Sequence, residues 1–462
     1  MKLLSEANKR RGRRGRFLAA LVPLALAACG GGGGDPGTVT PPASCSVGDQ
    51  QSWLAGYMNQ WYFWYALAPH PSPVGYASLD AYFNALLYTG NDPNFPADRW
   101  SWYESTAAFN RFYGNGATMG YGVSLAGLEA RADPTLPLYV RYVEPQSDAG
   151  VQGVQRGDQV LSLNGIAAAT LIANNDFSLL TADREQQQLT MQLRRNGVDR
   201  TVVVSAKVFT LTPVAGAAVY TSQGGRRLGY VAVKDMISQA QAGIDAAFAS
   251  FRSQGVQEAV IDLRYNGGGL VSTGAGLASY VGGHPVAGST YATLLYNNKL
   301  AGRYNQSFAF SNPSPANALA LRRVFVLTGA RTCSASEQLI NGLRGAGITV
   351  VTVGDTTCGK PVGFLPADGQ CGTTYNVVNF ESVNALNQGR YFNGFAATCA
   401  VAEDFTVAQG AGSDPLVATA AYYADTGACA PMTMTRSAAR EGIPAALRRA
   451  WTPDERSDMV GR

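Results

Sequence analysis

Ala259-Val260-Ile261-Asp262-Leu263-Arg264-Tyr265-Asn266-Gly267-Gly268-Gly269 reads as an apolar strand that runs into three glycines. A short, continuous apolar run fits a strand buried on both faces, as in a parallel sheet. Glycines at its end permit a tight turn whose backbone amides no side chain shields. The same strand-then-loop pattern recurs downstream. Arg323 to Leu327 leads to Cys333-Ser334-Ala335-Ser336-Glu337, and Ile348 to Val353 leads to Gly359-Lys360-Pro361. Leu228 to Val233 is a further strand, helical periodicity runs from Ile237 to Phe251, and another helix begins near Val271. This alternation predicts an α/β domain over residues 207–430, with its chemically distinctive segments at strand ends, where such sheets gather their sites.

Those segments contain the parts for nucleophilic chemistry without histidine. Ser334 stands at a helix start, where the helix dipole and neighbouring amides favour developing negative charge. Ser334-x-x-Glu337 is equally a capping box, and Ser336 is a competing hydroxyl. Lys360 could accept the serine proton once it loses roughly three pKa units, about 4 kcal/mol of differential interaction. Burial supplies such a shift by penalising the ammonium, and the strand up to Val353 together with Pro361, Val362 and Phe364 offers an apolar setting. Gly267, Gly268, Gly269 and Ala335 are candidate amide donors to an oxyanion. No Gly-Lys-Ser/Thr follows the glycines, so they do not form a nucleotide-binding loop. The chain has only two histidines, His70 and His284, each before a proline. A Ser-Lys pair therefore fits better than a Ser-His-Asp triad.

Upstream, residues 113–206 are β-rich, with strands expected at Leu138 to Val143, Leu189 to Leu193 and Thr201 to Ser205. Between the first two lies Arg156-Gly157-Asp158-Gln159-Val160-Leu161-Ser162-Leu163-Asn164-Gly165. This run resembles a PDZ domain of the bacterial protease type. Met119-Gly120-Tyr121-Gly122 would then form the carboxylate-binding loop, with the ligand peptide added as a strand to the sheet edge. Residues 45–112 read as a small helical domain with an aromatic core. Trp53, Met58, Trp61, Tyr62, Trp64 and Tyr65 recur at near-helical spacing, and Leu79 to Leu87 form a second periodic stretch.

The first 28 residues read as a targeting segment, a basic stretch followed by the short apolar run Phe17 to Ala28. Leu26-Ala27-Ala28-Cys29 resembles a bacterial lipobox, which implies a lipid on Cys29 and an envelope location facing the periplasm, with Gly30 leaning toward the outer membrane. Residues 29–44 form a Gly- and Pro-rich flexible tether, and 431–462 a C-terminal tail that no motif explains. A net charge of +4, partly in the targeting segment, makes no case for nucleic-acid binding. Apart from Cys29, six cysteines remain: Cys45, Cys333, Cys358, Cys371, Cys399 and Cys429. An even number in an exported chain implies disulfides, and no metal-type spacing suggests zinc. Cys333 adjoins the candidate nucleophile and Cys358 lies just before the candidate lysine. A bond between them would staple the two segments and stabilise the fold by about 3 kcal/mol.

Taken in order, these motifs resemble the C-terminal processing peptidase (tail-specific protease) family over about residues 113–365, in a lipoprotein subgroup. The resemblance implies a crotonase-like α/β catalytic domain with a PDZ domain controlling access. It makes Ser334 the nucleophile and Lys360 the general base, with an oxyanion hole from Ala335 and an amide of Gly267 to Gly269. No cofactor is implied, and the partners would be proteins or peptides with accessible C-terminal tails. Two departures stand out. Phe364 occupies the place of a glutamine that orients the lysine in many members, which leaves Glu337 as a candidate partner, and the serine-to-lysine spacing is one residue longer than usual. Resemblance to the cysteine-containing subgroup further implies a Cys371–Cys399 pair. The competing expectations are a catalytically inactive PDZ-bearing scaffold and a carrier of hydrophobic ligands.

Overall fold

Alternation of side chains along fully buried strands sorts the central sheet into two cores. Ala259 and Ile261 join one buried cluster with Val231, Val233, Val324 and Val326, whereas Val260 joins another with Tyr230, Phe325 and Val351. This is the period-two geometry of a strand covered on both faces. The sheet runs Val214–Thr221, Arg227–Val233, Glu258–Asp262, Arg323–Thr328, Thr349–Gly354 and Cys399–Ala400. The first pair is antiparallel and all later pairs are parallel. Helices Gln241–Ser253, Val271–Gly282 and Ala335–Gly345 contribute to the first cluster, and Pro415–Thr426 to the second. A smaller sheet, in the order Gln306–Ala309, Thr290–Tyr296, Phe380–Val383 and Val362–Gly363, carries the chain just after Lys360.

This computed structural model describes residues 39–127, 129–431, 456 and 458–461. The targeting segment 1–28, Cys29, the tether as far as residue 38 and most of the tail lie outside the described residues. Among the described residues no helix is long and apolar enough to cross a membrane.

Near the start of the described chain, Ser46 and Ser78 cap helices Val47–Trp61 and Leu79–Leu86 by accepting backbone N–H bonds. Trp53, Tyr57 and Trp61 stack along one helix face, with centroids 5.2 and 6.3 Å apart. Their rings belong to the same buried cluster as the helical face of the central sheet. The segment is not purely helical: Trp102–Ser105 is a strand paired antiparallel with Thr373–Asn376. Its two aromatic residues, Trp102 and Tyr103, favour a strand.

The segment from Tyr121 to Ala206 has a buried cluster of its own. Its sheet runs Val123–Leu125, Leu138–Val143, Gln159–Leu163, Gln188–Arg195 and Val198–Ser205, beside helix Ala168–Asn174. A ladder between Ala117–Gly120 and Lys207–Thr210 ties its entrance to its exit. Asp158 of the Arg-Gly-Asp turn is buried, accepts the Gln155 amide at 2.9 Å and pairs with Arg195.

Three disulfides link Cys45 to Cys371, Cys333 to Cys358 and Cys399 to Cys429. The staple expected between Cys333 and Cys358 is present. The Cys371–Cys399 pair is not, because those residues belong to different parts of the fold. Cys371 sits in the hairpin loop between Ala367–Asp368 and Thr373–Asn376, close to the start of the first helix and hence to Cys45. Cys399 is on the last strand of the central sheet, against the cluster formed with helix Pro415–Thr426, just beyond which Cys429 lies.

Candidate active site

Strands Glu258–Asp262, Arg323–Thr328 and Thr349–Gly354 are parallel neighbours, so the loops that follow them converge beyond one edge of the sheet. The first loop is anchored at its base. Arg264 is buried and ion-paired to Asp262 at 2.9 Å and Asp414 at 2.7 Å. Asn266 then organises two loops at once. Its Oδ1 accepts the Gly268 amide at 2.7 Å and the Ser336 hydroxyl at 2.8 Å, and its Nδ2 donates to Val233 O at 2.8 Å. Gly268 and Gly269 have φ of 111° and 132°. A Cβ on the first would meet Asp458 O and on the second Met236 O, so only glycine fits either position.

Ser334 has φ 61° and ψ −117°, an unusual conformation for a residue with a side chain. It is buried, and its amide donates to Glu337 Oε2 at 3.0 Å. The reciprocal half of the capping box falls short of a hydrogen bond, leaving Ser334 Oγ buried without a partner. Ser336 differs: its hydroxyl is occupied by Asn266. His284 pairs with Asn312 on the surface, and neither histidine bonds to Ser334.

Lys360 is also fully buried. Burial lowers its pKa to about 8, against the upward pull of the Asp458, Asp98 and Glu337 carboxylates. Its Nζ lies 4.9 Å from the centroid of the Phe364 ring. Where the glutamine was expected, an aromatic face therefore stands beside the ammonium. Glu337 holds the lysine loop by its backbone. Oε2 accepts the Lys360 amide and Oε1 the Gly359 amide, both at 2.8 Å, and Oε1 also accepts the Thr357 hydroxyl at 2.5 Å. Burial nonetheless leaves the Glu337 pKa above the usual carboxylate range, because these hydrogen bonds offset desolvation only in part. Cys333, Glu337 and Cys358 cluster, but the sulfurs are joined to each other, so no thiolate is available for a metal.

The candidate oxyanion donors divide their roles. The Gly268 amide is turned to Asn266, whereas the Gly269 amide points at Asp458 O at 2.6 Å. The Ala335 amide reaches the same oxygen at 3.5 Å, and Gly267 offers its carbonyl to Asp458 N at 3.0 Å. Part of the otherwise unexplained tail thus lies among the candidate residues.

The proposed carboxylate-binding loop is only partly a loop. Met119 and Gly120 are ladder residues paired with Val208 and Lys207, while Tyr121 and Gly122 turn beyond them. The Tyr121 and Gly122 carbonyls accept the Ala149 and Glu144 amides at 3.2 and 2.9 Å. Sequence reasoning missed the contributions of Asn266, Asp458 and Arg331. The only local cue for Asn266 is its place between strand and glycines. Arg331, three residues before Ser334, pairs with Glu129 at 3.2 Å and donates to Leu125 O at 3.3 Å, so it ties the serine turn to the β-rich segment.

Comparison with known proteins agrees with this architecture. The model of "Peptidase family S41" matches residues 227–391, and that of "Peptidase S41 N-terminal domain" matches residues 49–102. A carboxyl-terminal-processing protease of Picosynechococcus sp. (strain PCC 7002) is 26% identical over 240 residues, 52% of this chain and 54% of that protein. Its namesake from Synechocystis sp. (strain PCC 6803) is 25% identical over 252 residues, 54% of this chain and 56% of that protein. The chain thus spans about half the length of the curated relatives it matches. A crystal structure from Bacteroides fragilis assigned to the S41 proteases shares the fold, with a TM-score of 0.63 at 23% identity over 80% of this chain and 96% of that one. Residues 227–391 are thus similar to peptidase family S41, and residues 49–102 to the N-terminal domain of that family.

Proposed function

We propose that this chain is a serine endopeptidase in which Ser334 attacks a peptide carbonyl and Lys360 is the general base. The observation that carries the reading is the convergence of the Gly269 and Ala335 amides on one carbonyl oxygen next to Ser334, whose buried hydroxyl has no hydrogen-bond partner. An oxyanion needs such fixed donors, and the longer Ala335 contact can shorten as the carbonyl becomes tetrahedral. Neutral Lys360 takes the Ser334 proton as Oγ bonds to the carbonyl carbon. The tetrahedral intermediate collapses, the lysine passes the proton to the departing amine, and water activated by Lys360 hydrolyses the acyl-enzyme. Glu337 positions both loops through their backbone amides, and the Phe364 ring and nearby carboxylates set the tendency of Lys360 to hold its proton.

The β-rich segment is proposed to be a PDZ module that recruits C-terminal tails. Val123–Leu125 is an edge strand, the feature that strand addition requires. The catalytic domain is proposed to be crotonase-like, and Cys29 is the proposed lipidation site that would hold the protein in the envelope, facing the periplasm. The carrier reading has less support. A cavity of about 570 Å³ mixes apolar residues such as Leu136, Val401 and Phe405 with the ion pairs Arg131–Asp355 and Arg264–Glu403, so it is not the wholly apolar pocket that a lipid carrier needs.

The test is cleavage of a loosely folded reporter with an apolar C-terminal tail by the wild type, Ser334→Ala and Lys360→Ala. Loss in both folded variants is expected. Equal turnover by all three would reject the dyad, and binding of the tail without turnover by any would favour the scaffold.

A further inference from the structure

Asp458 to Gly461 lie in the candidate site as an extended peptide. Met459–Val460 pairs in parallel with Gly269–Leu270, and on its other side Val460 bridges Phe364. Hydrogen bonds alternate between the two walls. Asp458 N donates to Gly267 O at 3.0 Å and Gly269 N to Asp458 O at 2.6 Å; Phe364 N donates to Met459 O at 2.9 Å and Gly461 N to Phe364 O at 3.1 Å. This is strand addition, the way a peptidase groove holds a chain independently of its side chains.

Side chains fix the register. Arg456 is ion-paired to Glu104 and stacks 4.4 Å from the Phe112 ring centroid. Tyr113 donates its hydroxyl to Asp458 Oδ2 at 2.6 Å. Asp458, Met459 and Val460 are at most 1% exposed, so they are built into the protein rather than laid on its surface.

The register singles out one bond. Of the carbonyls in this segment, that of Asp458 receives both the Gly269 and the Ala335 amides. We infer that the chain is a substrate of its own site and is cut between Asp458 and Met459. The inference rests on the proposed Ser334–Lys360 mechanism but adds a substrate and a position that the mechanism alone does not give.

The chemistry closes without a further reagent. Ser334 Oγ bonds to the Asp458 carbonyl carbon as its proton passes to Lys360. The Asp458–Met459 C–N bond breaks, and Lys360 returns the proton to the Met459 nitrogen, which leaves as an amine. Water then hydrolyses the Ser334 ester, giving a carboxylate on Asp458 and restoring the hydroxyl. The residues from Met459 onward lose their tether, and the wall formed by Gly269–Leu270 and Phe364 becomes free to pair with another chain.

Intact-protein mass spectrometry tests this on the full chain, with reporter cleavage measured on the same samples. The wild type should end at Asp458, and Ser334→Ala should keep every residue beyond it. Met459→Pro, which puts an imino nitrogen at the leaving position and leaves the dyad untouched, should also keep them. Wild type mixed with Ser334→Ala should not trim the variant, because the bond is presented within one molecule. Trimming of the variant, or a cut at another bond, would overturn the inference. A wild type that cleaves the reporter while its own Asp458–Met459 bond stays intact would overturn it too, and would leave the proposed function standing. A wild type that cleaves neither would overturn the proposed function and this inference with it.

Discussion

A lysine kept in a dry site reduces folding stability, and the reduction can be read from its titration. The pKa of Lys360 falls from 10.5 to about 8 on folding. A shift of that size amounts to about 3 kcal/mol. Between the two values the unfolded chain carries a proton that the folded chain has shed, so stability rises with pH across that window. Below about 8 both states are protonated and the fold bears the whole penalty of a buried ammonium; above about 10.5 both are neutral and the penalty has gone. Lys360→Met keeps a flexible side chain of similar length and removes the titration. Its packing sets a constant offset from the wild type, but the pH dependence of the gap belongs to the lysine. From about pH 10.5 down to about pH 7, the gap should move in favour of the variant by about 3 kcal/mol. Guanidinium denaturation of both proteins, with disulfides intact and a constant m-value, measures it. A gap that stays level with pH, or moves in favour of the wild type on acidification, would refute the buried-lysine argument.

The other predictions concern its neighbours. Under the proposed mechanism, kcat/KM should rise through an acid limb near pH 8, set by Lys360. Phe364→Leu removes a ring that stabilises the ammonium by about 1 to 2 kcal/mol, so the limb should move down by about one unit; an upward move in a pH–rate profile would contradict this. Glu337→Gln puts an amide donor where the carboxylate accepts backbone N–H groups. It should cost about 3 kcal/mol in chemical denaturation and most of the reporter cleavage. Ser336→Ala should cost about 1 kcal/mol by freeing Asn266, yet leave turnover within roughly tenfold, since that hydroxyl is already bonded. The double change Cys333→Ala with Cys358→Ala should lower stability by about 3 kcal/mol, measured against the wild type under non-reducing conditions.

What the sequence disclosed follows from the range of the forces involved. The strand runs at Leu138 and Ala259 could be read because burial writes a pattern into a few adjacent residues. The glycine, serine and lysine segments were legible as separate loops, and the parallel order of their strands then brings them together. Cysteine pairing was legible only for Cys333 and Cys358, which flank segments already expected to meet. Cys371 and Cys45 are 326 residues apart, and no local pattern could join them. That the Ser336 hydroxyl is occupied could not be read, because its partner is a carboxamide 70 residues away. The role of Phe364 was hidden because a departure from an expected glutamine says what is missing and not what replaces it. Asp458 lay in a segment without periodicity, whose strand pairing is with residues far away in sequence.

Glu337 binds the amides of Ser334 and Lys360 with one oxygen, at 3.0 and 2.8 Å. Those two residues therefore share a pivot, and the adjacent Cys333–Cys358 bond acts as a second brace between the same loops. A linkage closed at two points has almost no internal freedom. The backbones of the two loops cannot be hinged apart while both braces hold, so under the proposed mechanism control of the site falls to rotation of the side chains and to whatever occupies the groove beside them.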